Sequence, residues 1–389
     1  MKIGIVLSST PSYSETFFIS KIKGLQQHGY EVILFVNHQK SEFDLCKVKS
    51  VPVNRGFGLI KSVLSFLILI ITKPATIRKF IKYEKKVGIG FNQVVKKVFL
   101  HQHILRTLNL DWLHFGFATQ AIGKEHIAKS IGAKMAVSLR GFDIGIYPLK
   151  NPKCYDLLWV NIDKLHVISD DLLNLAYENG LKKGIFFQKI TPAINTSFFK
   201  RQSLSGTSKK EQLQLMTIGR LHWKKDYTSV IIALKSLKDR NVNFEYVIIG
   251  DGPEEEKLKY LVYEFGLVNQ VVFTGKISQS KIINYFENSD IYIQYSLQEG
   301  FCNAVLEAQA MGVLPIVSNA EGLSENVINC QTGWVIPKNN PKALIEKILK
   351  VMDLPESHKE TIRNQAISRV EKEFNITKQQ KEFVSFYTS

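Results

Sequence analysis

The second half of this 389-residue chain alternates between two hydrophobic periods, and this alternation constrains the fold more than any other feature of the sequence. Short β-rich runs occupy residues 213–219, 244–250, 271–275, 291–296 and 314–318. Stretches with helical character cover residues 226–239, 254–265, 278–288 and 303–311. Strand, helix and strand at this spacing predict right-handed βαβ units and a parallel sheet that is covered on both faces.

The first half repeats this pattern less cleanly. Its predicted strands cover residues 2–8, 31–37, 111–115, 134–139 and 164–169, and a loose polar stretch over 201–212 separates the two halves. The chain length also favours two or three domains over one. We predict an α/β protein with two Rossmann-like parallel-sheet domains, residues 1–197 and 198–372, that face a central cleft. Because ligands of open parallel sheets bind beyond the carboxyl ends of the strands, we expect the chemistry there.

Composition excludes several classes of protein. Apolar residues make up 45% of the chain and charged residues 22%, which argues against disorder. The four cysteines show no C-x-x-C spacing, as is typical of reduced thiols in a cytoplasmic protein. The start, "MKIGIVLSSTPSYSE", predicts a first buried strand rather than a signal peptide. The apolar run 63–71 is shorter than the ~20 residues that span a bilayer, so we predict no membrane span.

The net charge of +16 lies almost entirely in the first half of the chain. Residues 1–200 contain 28 Lys and Arg against 13 Asp and Glu, and the segment Arg55 to Arg106 contains eleven basic residues and one acid, Glu84. Such a field attracts an anionic partner. Lysines alternate with apolar side chains over 78–88 and 93–106, which suits a surface lying on anionic lipid.

Two other interpretations of this basic segment remain open. It could form a pair of core-facing helices with a solvated basic rim. Nucleic acid is a third possible partner, but no RNA- or DNA-binding motif accompanies the charge, so we predict none.

Two cations follow the strand 213–219, in the stretch "GRLHWKKD". Arg220 and Lys225 lie beyond the carboxyl end of that strand and before the next helix. Two cations and a helix amino terminus at a strand end suit a diphosphate. The alternative is that Lys225 solvates a helix start and Arg220 makes a surface ion pair.

The strand 244–250 ends in "GDGP". Gly250 and Gly252 would let the backbone approach a ligand closely, and Pro253 suits the first position of a helix. A tight turn between strand and helix explains the same residues without a ligand.

The stretch "EGFCNAVLEAQAMG", from Glu299 to Gly312, places a carboxylate in an apolar helix. Asn303 is the predicted N-cap of a helix that runs from about residue 304 to Gly312. Burying an unpaired carboxylate costs several kcal/mol, whereas the helix dipole returns only ~0.3–1 kcal/mol. We therefore predict that Glu307 receives a ribose diol.

The loop before this helix completes the predicted site. Glu299 would reach a sugar at the strand end. The free backbone N–H groups from Gly300 to Ala304 would face the phosphates, which adds Gly300, Phe301, Asn303 and Ala304 to the donor-binding residues.

The ordered set of motifs resembles the retaining glycosyltransferases of family 4, which have the GT-B fold. The motifs are "GRLxxxK" at 219–225, "GDGP" at 250–253, "SLQEGFCNAVLEAQAMG" at 296–312 and "QTGWV" at 331–335. In the first half, "SETFF" at 14–18, "LHFGFA" at 113–118 and "LRGFDI" at 139–144 are similar to bacterial exopolysaccharide and lipopolysaccharide members.

The resemblance implies transfer of a sugar from a nucleoside diphosphate sugar with retained anomeric configuration. It implies that Arg220 and Lys225 hold the diphosphate, that Glu299 contacts the donor sugar and that Glu307 binds the ribose. Neutralising the leaving diphosphate would be the main catalytic term. It also implies that a carboxyl-terminal helix over 374–387, within residues 373–389, returns to the first domain.

Some positions depart from the pattern of the family. Arg140 stands where histidine is frequent and would place a permanent cation near the sugar or phosphates of the donor. Tyr295 and Cys302 replace prolines, and Asp226 replaces a glycine. No D-x-D loop for a metal is present, and Arg220 and Lys225 can take the role of a metal ion, so we predict neither metal nor cofactor.

These observations together predict a cytoplasmic hexosyltransferase that is peripheral on the inner face of the cell membrane. Its partners would be a nucleotide-sugar donor, a lipid-linked or glycan acceptor of a growing surface glycan, and an anionic membrane surface. The alternatives are a transferase with a soluble acceptor, a GT-B epimerase that needs no acceptor, and a phosphorylase, for whose phosphate site there is no sequence support. A non-enzymatic nucleotide sensor would bind nucleotide without turning over sugar.

Overall fold

Two parallel β-sheets organise the chain, one in each half. The structure is a computed structural model that describes residues 1–11, 16–39, 42–53, 56–201 and 212–388. Ser14 and Glu15 of the "SETFF" motif, Arg55, and residues 202–211 of the predicted interdomain stretch lie outside the described residues. The chain divides into unit 1, which is Met1–Ile190 with Gln379–Ser389, and unit 2, which is Thr191–Lys378.

The described part of unit 1 contains a seven-stranded sheet in the order β3-β2-β1-β4-β5-β6-β7, and all neighbours are parallel. Its strands are β1 (Lys2–Ser9), β2 (Glu31–His38), β3 (Lys47–Ser50), β4 (Trp112–Phe115), β5 (Lys134–Leu139), β6 (Lys164–Val167) and β7 (Phe186–Lys189). Its helices are α1 (Thr16–Gln27), α2 (Gly56–Thr72), α3 (Pro74–Lys86), α4 (Phe91–Leu105), α5 (Ile127–Ile131), α6 (Phe142–Gly145), α7 (Tyr147–Lys150), α8 (Asp156–Asn161) and α9 (Asp170–Glu178).

The sheet of unit 2 has six strands among the described residues, in the order β10-β9-β8-β11-β12-β13, and it is also entirely parallel. Its strands are β8 (Leu213–Ile218), β9 (Phe244–Ile249), β10 (Val271–Gly275), β11 (Ile291–Gln294), β12 (Leu314–Ser318) and β13 (Trp334–Ile336). Its helices are α10 (Tyr227–Asp239), α11 (Glu255–Glu264), α12 (Gln279–Glu287), α13 (Asn303–Ala310), α14 (Pro341–Met352) and α15 (Glu356–Glu373), and α16 (Ile376–Thr388) follows.

Each sheet is buried because helices cover its two faces. All residues of β4, β6, β11 and β12 are buried, as is typical of parallel strands between two helical layers. In unit 1 the end of the chain contributes to the core, since Phe383, Phe386 and Tyr387 of α16 pack with the side chains of β1, β2 and α1. Trp112 Nε1 donates to the carbonyl of Tyr387 at 3.2 Å.

The strand order reverses direction between β8 and β11 in unit 2. β9 and β10 extend the sheet on one side of this pair, and β12 and β13 extend it on the other. The loops after β8 and β11 therefore diverge to opposite faces and leave a crevice at the carboxyl edge, where open parallel sheets bind ligands. The stretch "GRLHWKKD" and the loop with Glu299 are these two loops.

The predicted α/β fold with two parallel-sheet domains is confirmed. Every strand predicted from the sequence is present with its ends within two residues of the prediction. Three short strands, β3, β7 and β13, were not predicted. Two local predictions were wrong: Pro253 does not open a helix, because α11 begins at Glu255, and Asn303 is not an N-cap, because Cys302 takes that position.

No single helix in the described ranges has the length and hydropathy to cross a membrane. The pair α2 and α3 passes the length and composition criteria only when both helices are joined, and the two helices bend by 96° relative to each other.

Candidate active site

Two loops of unit 2 are held together at the carboxyl edge of the sheet. The carbonyl of Lys224, in the loop after β8, accepts hydrogen bonds from the backbone N–H groups of Leu297 at 2.7 Å and Gln298 at 3.4 Å, in the loop after β11. The loops therefore form one continuous surface, and the functional side chains predicted on each of them come together.

Lys225 and Glu299 form an ion pair across these loops. Lys225 Nζ donates to Glu299 Oε2, and each side chain is 17% exposed. Burial acts to lower the pKa of Lys225, but the negative charge of Glu299 outweighs burial and the net effect raises the pKa. Lys225 is therefore a permanent cation with its charge balanced by a carboxylate, and the pair can separate when a ligand brings new charge.

A chain of buried polar side chains lies beneath this ion pair. Tyr292 donates to Gln294 Oε1 at 2.8 Å, Gln294 Nε2 donates to Ser296 Oγ at 2.9 Å, and Ser296 Oγ donates to Glu299 Oε2 at 3.5 Å. The three donors are at most 1% exposed. A buried network whose hydrogen bonds are all formed keeps its side chains in one arrangement, so these residues fix the position of Glu299.

Glu307 lies on the second turn of α13, and its side chain is half-buried. Burial raises the pKa of Glu307 to about 7. Its carboxylate makes no hydrogen bond and no ion pair with any residue that the structure describes. A partly buried carboxylate without a protein partner is what a ligand with hydroxyl donors would complete.

The amino terminus of α13 is fixed by a side chain from elsewhere in the unit. The side chain of Asn326 accepts from the N–H of Cys302 at 3.1 Å and donates to the carbonyl of Cys302 at 2.9 Å. Burial raises the pKa of the Cys302 thiol to about 11. Phe301 is 7% exposed and packs on Phe374, so only its backbone is available to a ligand.

The glycines of the "GDGP" motif have a role within the protein. A Cβ at Gly250 would lie 2.0 Å from the carbonyl oxygen of Gly219, and one at Gly252 would lie 2.2 Å from that of Leu221. Gly250 also has φ +139°, a conformation that favours glycine. These residues let the loop after β9 pack against the loop after β8, which positions "GRLHWKKD". The ligand contact predicted for Gly252 stays a prediction.

The conformation of Asp226 explains why this position can be a glycine in similar sequences. Asp226 has φ +45° and is the N-cap of α10, where its side chain accepts from the N–H of Ser229 at 3.3 Å. Aspartate is one of the few residues with a side chain that tolerate this left-handed conformation, and it also caps the helix.

The other two predicted cations lie in different surroundings. Arg220 is exposed and makes no hydrogen bond or ion pair with the described residues, so its charge is available to an anion. Arg140 lies in unit 1, where its guanidinium stacks on Phe17 with its Cζ 3.5 Å from the ring centroid. The backbone N–H groups of Arg140 and Gly141 donate to the buried carboxylate of Asp143 at 2.9 and 3.0 Å.

The residues that support the site were not predicted from the sequence, namely Tyr292, Gln294, Ser296 and Asn326. The first three alternate along β11 and its continuation, in "IYIQYS". Polar residues at every second position of a fully buried strand were a signal that one face of this strand carries a hydrogen-bonded chain. Asn326 had no comparable signal. No group of three or more metal-ligating side chains is present in the described ranges.

Comparison with known proteins shows which family this part of the chain is similar to. Residues 199–368 match the family described as "Glycosyl transferases group 1". This match covers less than half of the chain, and the two parallel-sheet units have the fold of GT-B glycosyltransferases.

Several similar proteins are described as glycosyltransferases. The chain is 26% identical over 272 residues to the putative colanic acid biosynthesis glycosyltransferase WcaL of Escherichia coli, a match that covers 67% of this chain and 66% of WcaL. It is 24% identical to the amylovoran biosynthesis glycosyltransferase AmsK of Erwinia amylovora, over 96% of both chains. Among solved structures, HepE of Anabaena in complex with UDP superposes with a TM-score of 0.74 at 14% identity, covering 100% of this chain and 99% of HepE.

Proposed function

We propose that this chain transfers a sugar from a nucleoside diphosphate sugar to the acceptor of a surface polysaccharide, with retention of anomeric configuration. The observation that carries the proposal is the loop surface of unit 2. It combines the Lys225–Glu299 ion pair, the exposed cation Arg220 and, on α13, the unpartnered carboxylate of Glu307.

Each of these groups matches one part of the donor. Arg220 and Lys225 would bind the diphosphate and neutralise the charge that develops on it as the bond to the sugar breaks. Glu299 would contact the donor sugar from its supported position above Ser296. Glu307 would accept hydrogen bonds from the ribose hydroxyls, and the first-turn N–H groups of α13 would face the phosphates.

The names of the relatives support the class of substrate. WcaL and AmsK are described as acting in colanic acid and amylovoran biosynthesis, and HepE was solved with UDP. Retention rests on the resemblance to family 4. The proposal requires no metal and no cofactor, because the two cations carry positive charge to the place where the diphosphate leaves.

The helices α2 to α4 support peripheral attachment to the cytoplasmic face of a membrane. Phe57 and Ile71 of α2 are 87% and 77% exposed. The apolar side chains of α2 that are also exposed are Leu59, Ile60, Val63, Leu64, Leu67, Ile68 and Ile70. The acid of this segment, Glu84, is fully buried and pairs with Lys97 at 2.6 Å and His126 at 3.0 Å. The surface of the helices therefore presents cations and apolar side chains without an opposing carboxylate, as membrane-surface helices do.

A thermal-shift panel of nucleoside diphosphates and their sugars tests the donor. A ligand at a hundredfold its dissociation constant adds ~2.7 kcal/mol of stability, which is readily detected as a higher Tm. We expect one nucleotide and its sugar to stabilise the parent, and Glu307→Gln to lose most of that shift, while the exposed control Glu346→Gln keeps it.

Product analysis separates the rival functions. Release of nucleoside diphosphate only when a glycan or lipid-linked acceptor is added supports transfer. Interconversion of the nucleotide sugar without acceptor would identify an epimerase, and efficient transfer to a soluble sugar would favour the soluble-acceptor rival.

A further inference from the structure

A cavity of about 540 Å³ lies in unit 1 beside the edge strand β3. Residues from the end of β3, from α2 and from the end of α4 line it. Its size falls within the range of pockets that bind small ligands. Nothing in the proposed donor site uses this cavity.

The cavity is lined by positive charge without a carboxylate. Lys49, Lys61 and Arg106 contribute cations, and no acidic residue belongs to the described lining. Burial lowers the pKa of Lys49, and the positive charges of Lys47, Lys2 and Arg106 lower it further. Among the lining cations, Arg106 thus repels Lys49, and an anion bound between them would relieve that repulsion.

The side chains are also arranged as hydrogen-bond donors. Arg106 Nη1 donates to Ser65 Oγ at 2.6 Å, which leaves the other guanidinium N–H groups and the serine proton available. Lys49 Nζ donates to Thr107 Oγ1 at 2.7 Å and keeps two further protons. A guanidinium, two ammonium groups and a hydroxyl around one cavity match the oxygens of a phosphate group.

The same cavity adjoins the exposed apolar surface of α2. Gly58, Lys61, Ser62 and Ser65 of this helix line the cavity, whereas its other faces expose the apolar side chains described above. A helix of this length extends about 25 Å. The cationic cavity and the apolar surface thus lie on the same helix. A ligand that contacts both would carry a phosphate at the end of a hydrocarbon chain.

We propose that this cavity binds the phosphate group of an anionic lipid and that the hydrocarbon chain of the lipid lies along the exposed side chains of α2. The proposal deepens the proposed function: the bound lipid would be the lipid-linked acceptor or its phosphate carrier. Only the identification of the lipid as the acceptor or its carrier rests on the proposed function. Binding of a lipid phosphate to the cavity can be measured without sugar transfer.

Calorimetry on the 389-residue chain tests the site with three probes, geranyl phosphate, inorganic phosphate and geraniol. We expect geranyl phosphate to bind, and inorganic phosphate and geraniol to bind at least about tenfold more weakly, since each lacks one half of the ligand. Arg106→Gln and Lys61→Gln change exposed side chains, so they should fold as the parent does, and each should weaken geranyl phosphate about tenfold or more.

Two control variants locate the binding. Lys82→Gln with Lys86→Gln removes two exposed cations of α3 outside the cavity and should leave affinity for geranyl phosphate unchanged. Arg220→Ala, in unit 2, should also leave it unchanged, so loss of the donor site and loss of this site are distinguishable. Equal binding of inorganic phosphate would overturn the lipid claim, and absence of binding by all three probes would overturn the site. If the α3 variant weakened geranyl phosphate binding as much as the cavity variants do, the general positive charge of the surface would attract the ligand and the cavity would not be its site.

Discussion

Glu307 is a half-buried carboxylate for which the described residues offer no partner. Burial raises its pKa to about 7 from 4.5, so near neutral pH this side chain is divided between its protonated and ionised forms. The ionised form has two oxygens that can accept from two ribose hydroxyls, whereas the protonated form competes with the ribose as a donor. Ligand binding and proton release are therefore coupled at this residue.

We predict that the affinity for the nucleoside diphosphate rises with pH through about 7. Below that pH the carboxyl must lose a proton before it can accept both hydroxyls, so affinity falls by up to about tenfold per pH unit. Glu307→Gln should bind more weakly at high pH and should lack this dependence. Calorimetry from pH 5 to 9 measures both, and subtraction of the variant removes the titration of the phosphate itself. Parallel pH profiles for parent and variant would remove Glu307 from the donor site.

The stability of the free protein gives an independent check on the same residue. A raised carboxyl pKa means that the native state holds the proton more tightly than the unfolded state. The stability from that proton is fully present below the unfolded pKa near 4.5 and is lost as pH rises through about 7. Relative to the parent, Glu307→Gln should thus gain stability with rising pH, on the order of 3 kcal/mol across the whole window. Tm measured against pH follows this difference.

Variants of Arg220 and Lys225 are predicted to differ, although both residues are proposed to bind the diphosphate. Arg220 is exposed without a partner, so Arg220→Ala should weaken transfer by ~1.5–3 kcal/mol and leave stability unchanged. Lys225→Ala also leaves Glu299 without its counter-charge, so it should weaken transfer and lower Tm. Steady-state kinetics and thermal unfolding on both variants separate these effects.

Arg240→Ala is the matched control for these variants, because Arg240 is an exposed arginine of the same unit at the far end of α10. It should behave as the parent. Full activity in the Arg220 and Lys225 double variant would show that the diphosphate binds elsewhere.

At the residue scale, the sequence indicated the side chains that are proposed to face the ligand better than the side chains that support them. Glu299 and Lys225 follow strand ends, so topology alone brings them close together, and the ion pair shows that it does. The buried chain from Tyr292 to Ser296 depends on which face of β11 each side chain takes. Asn326 reaches Cys302 from a distant part of unit 2, and no local pattern encodes such a contact.

At the element scale, α2, α3 and α4 form the most unusual part of unit 1. The sequence left open whether these helices face the core or a lipid surface. Only Ser62 and Leu69 of α2 are buried, and only Phe80 and Glu84 of α3. The apolar side chains exposed along α2 and the lysines exposed on α3 support the proposed attachment to a lipid surface.

We predict that reversing the charge of α3 releases the protein from anionic membranes. The changed residues, all exposed, are Arg78, Lys79, Lys82, Lys85 and Lys86, each replaced by glutamate. Each cation near an anionic leaflet contributes ~1 kcal/mol, so the loss should abolish binding at moderate salt. Co-sedimentation with anionic and neutral liposomes across a salt series measures it, because the Debye length falls from ~10 Å at 0.1 M to ~3 Å at 1 M.

A second five-site variant controls for net charge. It replaces exposed lysines elsewhere in unit 1, namely Lys23, Lys150, Lys153, Lys182 and Lys183, by glutamate. This variant has the same total charge and should remain on anionic liposomes, and both variants should keep nucleotide binding in unit 2. Equal release of the two variants, or parent binding that is the same on neutral vesicles, would contradict docking through α3.

The elements that the sequence missed share a physical cause. β3, β7 and β13 are three or four residues long, and β3 and β7 lie at the edges of their sheet. β3 reads "KVKS", with Lys47 exposed and Lys49 half-buried, so no apolar run marks it. Central strands are buried on both faces, so their sequences are continuous apolar runs. Edge strands are less buried and need no such run.

At the scale of the whole molecule, the chain separates two kinds of chemistry. Unit 2 carries the strand-end loops with Lys225, Glu299 and Glu307, and it is nearly neutral. Unit 1 carries almost all of the net positive charge together with the exposed helix α2. The fold of each unit followed from the alternation of strands and helices, since that alternation permits few topologies. The charge asymmetry followed from counting the basic and acidic residues of each half of the sequence.

Sugar transfer from a labelled donor is the decisive measurement for the proposed reaction. The nucleotide sugar that stabilises the parent is incubated with protein and with a lipid extract that contains the acceptor, and the label in the lipid fraction and the free nucleoside diphosphate are both measured. We predict equal amounts of the two products, retained anomeric configuration in the product, and loss of turnover in Glu299→Gln while nucleotide affinity persists. Nucleotide binding without transfer to any acceptor, or an epimerised nucleotide sugar without transfer, would contradict the proposed reaction.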